Sequence, residues 1–393
     1  MGPFLLLKAA TRCEFYSCKF LRGGRYIMKV KASDKLLEYS GRIDFSDAEN
    51  PLFIFPCSYV KIRFKGQSIK ATISNKHGYW DNFIGVICDG RQKKICIYDQ
   101  DNPSEHGLSQ TITLEDNLAE GEHELMLFKR QDSCHVFKFS GFEIEGNEDK
   151  IEVLSCGEKP HRRIEVYGDS VSAGEVSEAV DFVGKPDPEW HQGEFSNSYY
   201  SYSWMTARKL NAQIHDVAQG GIALMDDTGW YQINYDGRQY YMGMESVYDK
   251  LLYNPEMGDV TEWDFNKYRP HVVIVAIGQN DNHPVDYMAE DYNCAKAVLW
   301  REKYFKFIKK LRSIYPSSEI ILATTILEHD DSWDKSIEEV KNRLADEKVH
   351  HFLYSKNGCG TSGHIRRPEA EMMSDELAAF IEGLGEDVWK DEV

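Results

Sequence analysis

The residues with the most chemistry in their spacing lie in EVYGDSVSAGE, residues 165–175. An extended, apolar run stops on Gly168-Asp169-Ser170, and small residues follow. An Asp-Ser pair there suits the N-cap of a short helix, with the serine hydroxyl spent on its own backbone. It equally suits display of Ser170 as a nucleophile, which needs a base to take its proton. Later stretches supply the rest of an acyl-transfer site: a glycine turn at Gln219-Gly220-Gly221, GQND at 278–281 and TSGH at 361–364. His364 would be the base. The backbone N–H groups of Ser170 and Gly221, with the side-chain amide of Asn280, would face the oxyanion of a tetrahedral intermediate. Losing one such donor typically costs ~3–4 kcal/mol of barrier. Glycine at 221 would keep a side chain away from the acyl group, and Gly220 is its rival. His283, His329, His350 and His351 compete with His364, and the first two are placed to line a pocket. Only His364 lies between the last predicted strand and the last predicted helix. Asp169 and Asp281 read as loop-holding residues.

These stretches must be brought to one rim. From residue 164 the sequence alternates: strands at RRIEVYG, AQIHDVAQGG, HVVIVAIGQND, EIILATTIL and VHHFLYS, with helical patterns between and after them. One helix, CAKAVLWREKYFKFIKKLRSIYP, puts Tyr304, Phe305, Ile308 and Leu311 on one face; the last has Pro368 near its start and Gly383 as its stop. The charged helix KSIEEVKNRLADEK reads as a solvated face. This alternation predicts a doubly wound α/β domain with a parallel sheet, whose ligands bind beyond the carboxyl ends of the strands. Residues 30–150 instead carry short runs rich in Val, Ile, Phe and Tyr separated by turns, which predict an all-β sandwich of jelly-roll type. The expected division is an N-terminal extension at 1–27, a sandwich at 28–155 and a doubly wound α/β domain at 160–393. Met28 is a candidate for the true start.

The chain has 393 residues, 42% of them hydrophobic and 28% charged, and a net charge of −18. Such a balance argues against nucleic acid or an anionic membrane surface as partner. No apolar run reaches the ~18 residues of a membrane-spanning helix. The opening MGPFLLLKAATRCEF makes a poor signal peptide, so a cytoplasmic protein is expected. Its nine cysteines are scattered without a CxxC pair, which reads as free buried thiols in a reducing compartment and gives no metal site. A homo-oligomer is left open.

In their order, the GDS block, the Gly221 turn, GQND and His364 resemble the SGNH (GDSL-like) hydrolases. The sandwich ahead of them, from YSGRIDF through GEHELMLFKR, together with QGGIAL and the closing GH…DELAAFI, resembles family 2 of the carbohydrate esterases over roughly residues 36–385. That resemblance implies an N-terminal jelly roll joined to a three-layer α/β/α SGNH domain. It implies a serine esterase that removes O-acetyl groups from sugars of xylan or mannan through an acetyl-Ser intermediate, without metal or cofactor. Its partner would be an acetylated oligosaccharide or polysaccharide. One departure stands out. SGNH enzymes carry Asp three residues before the histidine, and this sequence has Thr361 there. Threonine supplies no charge to steady an imidazolium, so a Ser170–His364 dyad with a backbone carbonyl on the imidazole is expected, unless an Asp or Glu arrives from elsewhere. Ile365 replaces the usual proline. Trp230, then Trp190 and Trp333, are candidates for sugar-stacking platforms, against the plainer reading that they pack. Two other readings remain: a non-catalytic carbohydrate-binding protein with a decayed hydrolase domain, which Thr361 favours, and a short-chain lipase or thioesterase of the same fold.

Overall fold

The computed structural model describes residues 18–20, 25–98 and 108–391. Most of the expected 1–27 extension lies outside them. Met28 falls inside the strand Arg25–Lys31, so the sandwich reaches back to at least Arg25.

The N-terminal strands form two antiparallel sheets, of seven and six strands. Their alternation does what a half-buried strand requires: in Tyr59–Lys65 every second residue, Val60, Ile62 and Phe64, points into the core. Facing rows from the other sheet, including Ile69, Ala71, Ile73, Phe139 and Phe142, complete that core. Glu152–Leu154 is the last strand of the sandwich, and the next strand, Arg162–Gly168, opens a third sheet.

This five-stranded sheet is wholly parallel. Its spatial order is Ala212–Ala218, Arg162–Gly168, Val272–Ala276, Glu319–Ala323, Val349–Phe352. Val272–Ala276 is buried at every position, as a strand covered on both faces must be. Helices Tyr202–Lys209 and Arg367–Gly383 cover one face, with Trp204, Met205, Met373, Leu377 and Ile381 inside. Helices Ala295–Ile314 and Asp331–Leu344 cover the other, burying Trp300, Tyr304, Ile308, Leu311, Trp333, Ile337 and Val340. The last of these helices is therefore not merely a solvated face. Its polar side carries the charge, and Trp333, Ile337 and Val340 form an apolar stripe. Strand order reverses at Arg162–Gly168, the first strand of the sheet, since the next two strands of the sheet lie on its two sides. The crevice beyond such a point is where an open α/β sheet binds ligands, and Ser170 sits at its edge.

The two regions share their cores. Ile54, Phe55, Cys134 and Val136 of the sandwich are buried with residues of the parallel sheet and its helices. Cys57 and Phe128 join the opposite face. Cys57, Cys88, Cys96, Cys134, Cys156, Cys294 and Cys359 are free; Cys57, Cys88 and Cys134 are buried, but Cys96 and Cys359 are exposed, contrary to expectation. No described helix is long and apolar enough to cross a membrane.

A fully buried ion pair crosses the junction. Arg42 of the sandwich meets Glu165 on the central strand at 2.9 Å, both side chains being wholly inaccessible. Arg42 also donates to the Tyr248 carbonyl and the Tyr167 hydroxyl, and Glu165 accepts from the hydroxyls of Tyr167 and Tyr315. Removing one partner of such a pair strands a buried charge. Arg42→Ala is expected to cost about 3–5 kcal/mol in urea unfolding, and adding Glu165→Gln to recover part of that loss.

Candidate active site

Asp169 caps the short helix Ser170–Ala173: its Oδ1 accepts from Val171 N at 3.0 Å. Because aspartate makes the cap, the Ser170 hydroxyl is free of that duty. It lies 2.8 Å from His364 Nε2. The first residue of a helix has no intrahelical acceptor for its N–H, so Ser170 N–H is also available.

What holds His364 differs from expectation. Its Nδ1 lies 2.5 Å from Asp187 Oδ2, and its own backbone N–H donates to Asp187 Oδ1 at 2.9 Å. The expected backbone-carbonyl dyad is therefore corrected to a Ser170–His364–Asp187 triad. Asp187 comes from the loop that follows Ser170 in sequence, in KPDPEW, between two prolines. Arg366 Nη2 bonds the same carboxylate at 2.8 Å, and its Nη1 donates to the His364 carbonyl. Thr361, at the expected aspartate position, is buried and works through its backbone. Its carbonyl accepts from Glu328 N at 2.8 Å, and it bridges to Leu327, pinning the histidine loop beside the loop after the fourth strand.

Hydrogen bonds from His364 and its positive charge, with Arg366 adding to them, overcome burial and hold the Asp187 carboxyl well below the usual carboxylate range. Burial alone would lower the imidazole; the Glu175, Asp187 and Asp169 carboxylates outweigh it and hold His364 up to about 9.

Gly221 occupies the left-handed region, φ +73°, and a Cβ there would strike the Trp230 Cβ at 2.8 Å. Glycine is thus required by backbone and by Trp230, rather than by room for an acyl group. Gly221 N–H donates to no described residue, while its carbonyl accepts from Trp230 N and Tyr231 N. Gly220 N–H is already spent on Asp132 at 3.0 Å, which removes the rival glycine. Asn280 Nδ2 reaches the Ile222 carbonyl at 3.0 Å and Asp169 Oδ2 at 3.2 Å; an oxyanion would compete with the longer bond. Asp281 holds its loop as expected, accepting from Leu224 N and Met225 N.

A cleft of about 630 Å³ opens over this group, lined among others by Ser170, Gly221, Asn280, Asp187 and His364. Trp230 lines it, 61% exposed and stacked on His283 at 3.3 Å between ring centres. Trp190 is exposed but is not among its lining residues. Trp333 cannot be a platform: it is buried against Trp300, its indole N–H donating to Asp286. Of the rival histidines, neither His283 nor His329 lines the cleft. His283 backs Trp230, and His329 is held by the Leu327 carbonyl and Asp334. His350 and His351 pair with Glu319 and Glu338. Sequence reasoning missed Tyr79 and Trp80, which reach the cleft from the sandwich, and also Glu175 and Asp187. The one grouping with metal-ligand spacing among the described residues is His161, His271 and Asp391. It lies at the amino ends of the strands, away from the cleft, and the Arg163 guanidinium already occupies it.

Residues 39–152 match the family model for the N-terminal region of carbohydrate esterase 2. The cellulase/esterase CelE of Acetivibrio thermocellus is 28% identical over 358 residues, 87% of this chain; the match spans 39% of that longer protein. An acetylxylan esterase / glucomannan deacetylase of Cellvibrio japonicus is 24% identical over 353 residues, covering 88% of each chain. A family two carbohydrate esterase from Clostridium thermocellum, solved in complex with cellohexaose, superposes with a TM-score of 0.69 and 26% identity, covering 90% of this chain and all of that one.

Two tests follow from the geometry. Asp187→Ala is expected to lower kcat on a small acetate ester by ~10²–10⁴-fold, while Thr361→Ser, which keeps the backbone role, retains most activity. A base must be neutral to accept a proton, and a histidine titrating near 9 is mostly protonated at neutral pH. Wild-type kcat/KM should therefore climb with pH through a midpoint near 9 and level off above it; in Asp187→Ala, with one raising charge gone, the midpoint should move down. In sequence and in fold, this chain resembles the family 2 carbohydrate esterases along nearly its whole described length, sandwich and serine domain alike.

Proposed function

We propose that the protein is a carbohydrate esterase that removes O-acetyl groups from acetylated hemicellulose-type oligosaccharides, of xylan or mannan. The observation that carries this reading is the contact of Ser170 Oγ with His364 Nε2 at 2.8 Å, backed by Asp187. Ser170 attacks the acetyl carbonyl while His364 takes its proton. Negative charge collects on the carbonyl oxygen, where Ser170 N–H and Gly221 N–H meet it and Asn280 can add a third contact. Asp187 steadies the imidazolium so formed. His364 then gives its proton to the departing sugar oxygen. Water, deprotonated by the same histidine, attacks the acetyl-Ser, and acetate leaves.

The sugar part of the reading rests on the cleft and on the relatives. A wide opening edged by Trp80 and Trp230 offers indole faces for the apolar side of a pyranose. Relatives named for acetylxylan, glucomannan and a cellohexaose complex point the same way. The sandwich is read as the jelly roll of that family. A purely sugar-binding role with a decayed hydrolase site loses its chief support, since Asp187 supplies the charge that Thr361 lacks.

NMR of acetylated xylan and mannan oligosaccharides, before and after treatment, should show acetate released by the wild type. Ser170→Ala should lose at least ~10³-fold in kcat. Equal release by wild type and variant would overturn the catalytic assignment. Faster turnover of long-chain acyl esters than of acetates would move the reading to a lipase.

A further inference from the structure

Glu175 is a carboxylate that the hydrolytic cycle does not use. It lines the same cleft as Ser170 and His364. Its backbone N–H donates to the Ser170 carbonyl at 3.0 Å, which ties it directly to the nucleophile's turn. Its position is built at some expense. Gly174 before it has φ +76°, and Val176 after it has φ +55° while fully buried. A β-branched residue in the left-handed region costs of order 1–3 kcal/mol and persists only where its surroundings over-determine it. Here they do. Asn197 N bonds the Gly174 carbonyl, Val176 N bonds Ser196 Oγ, and Ser177 Oγ bonds the Asn197 carbonyl.

The side chain so placed makes no hydrogen bond or ion pair with any described residue. Its polar neighbours are already engaged. A Cβ on Gly220 would lie 3.0 Å from Glu175 Oε2, 2.8 Å from Asp132 Oδ2 and 3.3 Å from the Tyr79 hydroxyl. Yet Asp132 is taken by Gln219, Gly220 N and Tyr79, and Tyr79 by Asp132 and Gln219. Glu175 thus sits over Gly220, beside the oxyanion donor Gly221, with its oxygens unassigned and the indoles of Trp80 and Trp230 on the same cleft. A carboxylate beside aromatic faces is the pairing that binds a polyol: ring hydroxyls to the acid, apolar ring face to the indole.

We infer that Glu175 binds a free hydroxyl of the sugar that carries the scissile acetyl group, and so selects partly deacetylated sugars over simple esters. This rests on the proposed sugar-esterase reading. Burial raises the Glu175 carboxyl to about 7; His364 pulls it down, and Asp132, Asp187 and Asp169 push it up. In either protonation state it can accept a bond from a hydroxyl, and when protonated it can also donate one.

The test compares a monoacetylated methyl xyloside with analogues in which each free hydroxyl is replaced in turn by hydrogen. In the wild type one such replacement should lower kcat/KM by about 10- to 100-fold. In Glu175→Ala that penalty should collapse toward unity, and in Glu175→Gln, which keeps the shape and guards against misfolding, it should be intermediate. The ratio is read within each variant, so any change in basal rate through His364 cancels. An unchanged deoxy penalty in Glu175→Ala overturns this inference and leaves the esterase reading standing. A wild type that cleaves p-nitrophenyl acetate but no sugar ester overturns both.

Discussion

The grip of one carboxylate on the histidine loop is the constraint on which the catalytic rim depends. Asp187 takes the imidazole N–H with one oxygen, and the backbone N–H of His364 and the Arg366 guanidinium with the other. One group therefore fixes the ring's tautomer, the rotation of its loop and the start of the last helix. Its charge is secured by the same bonds, since a carboxylate accepting several charge-assisted hydrogen bonds stays ionised far below neutrality. The sheet explains why a loop from so early in the domain can do this. Ser170 lies at the strand where connection order reverses, and the segment leaving it crosses the open end of the sheet toward the last strand's loop.

The sandwich is part of that constraint rather than an appendage to it. Its segment at 129–135, which crosses from one sheet of the sandwich to the other, enters the α/β region with buried polar groups, several of which find partners there. Arg130 bonds Glu178 and the Ser196 carbonyl, Ser198 returns bonds to the backbone at Lys129 and Arg130, and Asp132 holds Gly220 N. Lys129, wholly enclosed, is lowered to about 7 by burial despite the nearby Asp132, and donates to the Gln131 and Asp132 carbonyls. Buried polar groups so fully satisfied fix geometry more than they add stability. With Arg42–Glu165 at the sheet's core, they set the glycine turn and the nucleophile turn against the same frame.

What could be read in the sequence was what is local. Ser170, Gly221, Asn280 and His364 each end a strand or a loop next to one, so hydrophobic runs and turn residues located them. Asp187, Glu175, Tyr79 and Trp80 lie in loops without periodicity, and Tyr79 and Trp80 reach the cleft only because two regions dock. KPDPEW did carry a signal, an acid locked between prolines, but nothing in it names the histidine as partner. Trp333 shows the converse error. It follows a strand end as a cleft residue should, yet it falls on the apolar stripe of its helix and turns inward to Trp300. Distance from a strand end was legible, but the rotation of a side chain about its helix was not.

The glycine turn joins binding to chemistry in one rigid piece. The carbonyl of Gly221 accepts from Trp230 N and Tyr231 N, and the N–H of the same residue, the proposed oxyanion donor, donates to no described residue. Asp281 clamps Leu224 and Met225 from the GQND loop, whose Asn280 reaches back to Ile222. On the proposed reading, a sugar stacked on Trp230 would be referred, through the single residue Gly221, to the donor that meets the acyl oxygen. A displacement of the indole would then displace that donor with it. Binding energy gained on the glycan side can thus be expressed as alignment at the carbonyl, which is how contacts remote from the reacting atoms raise a rate.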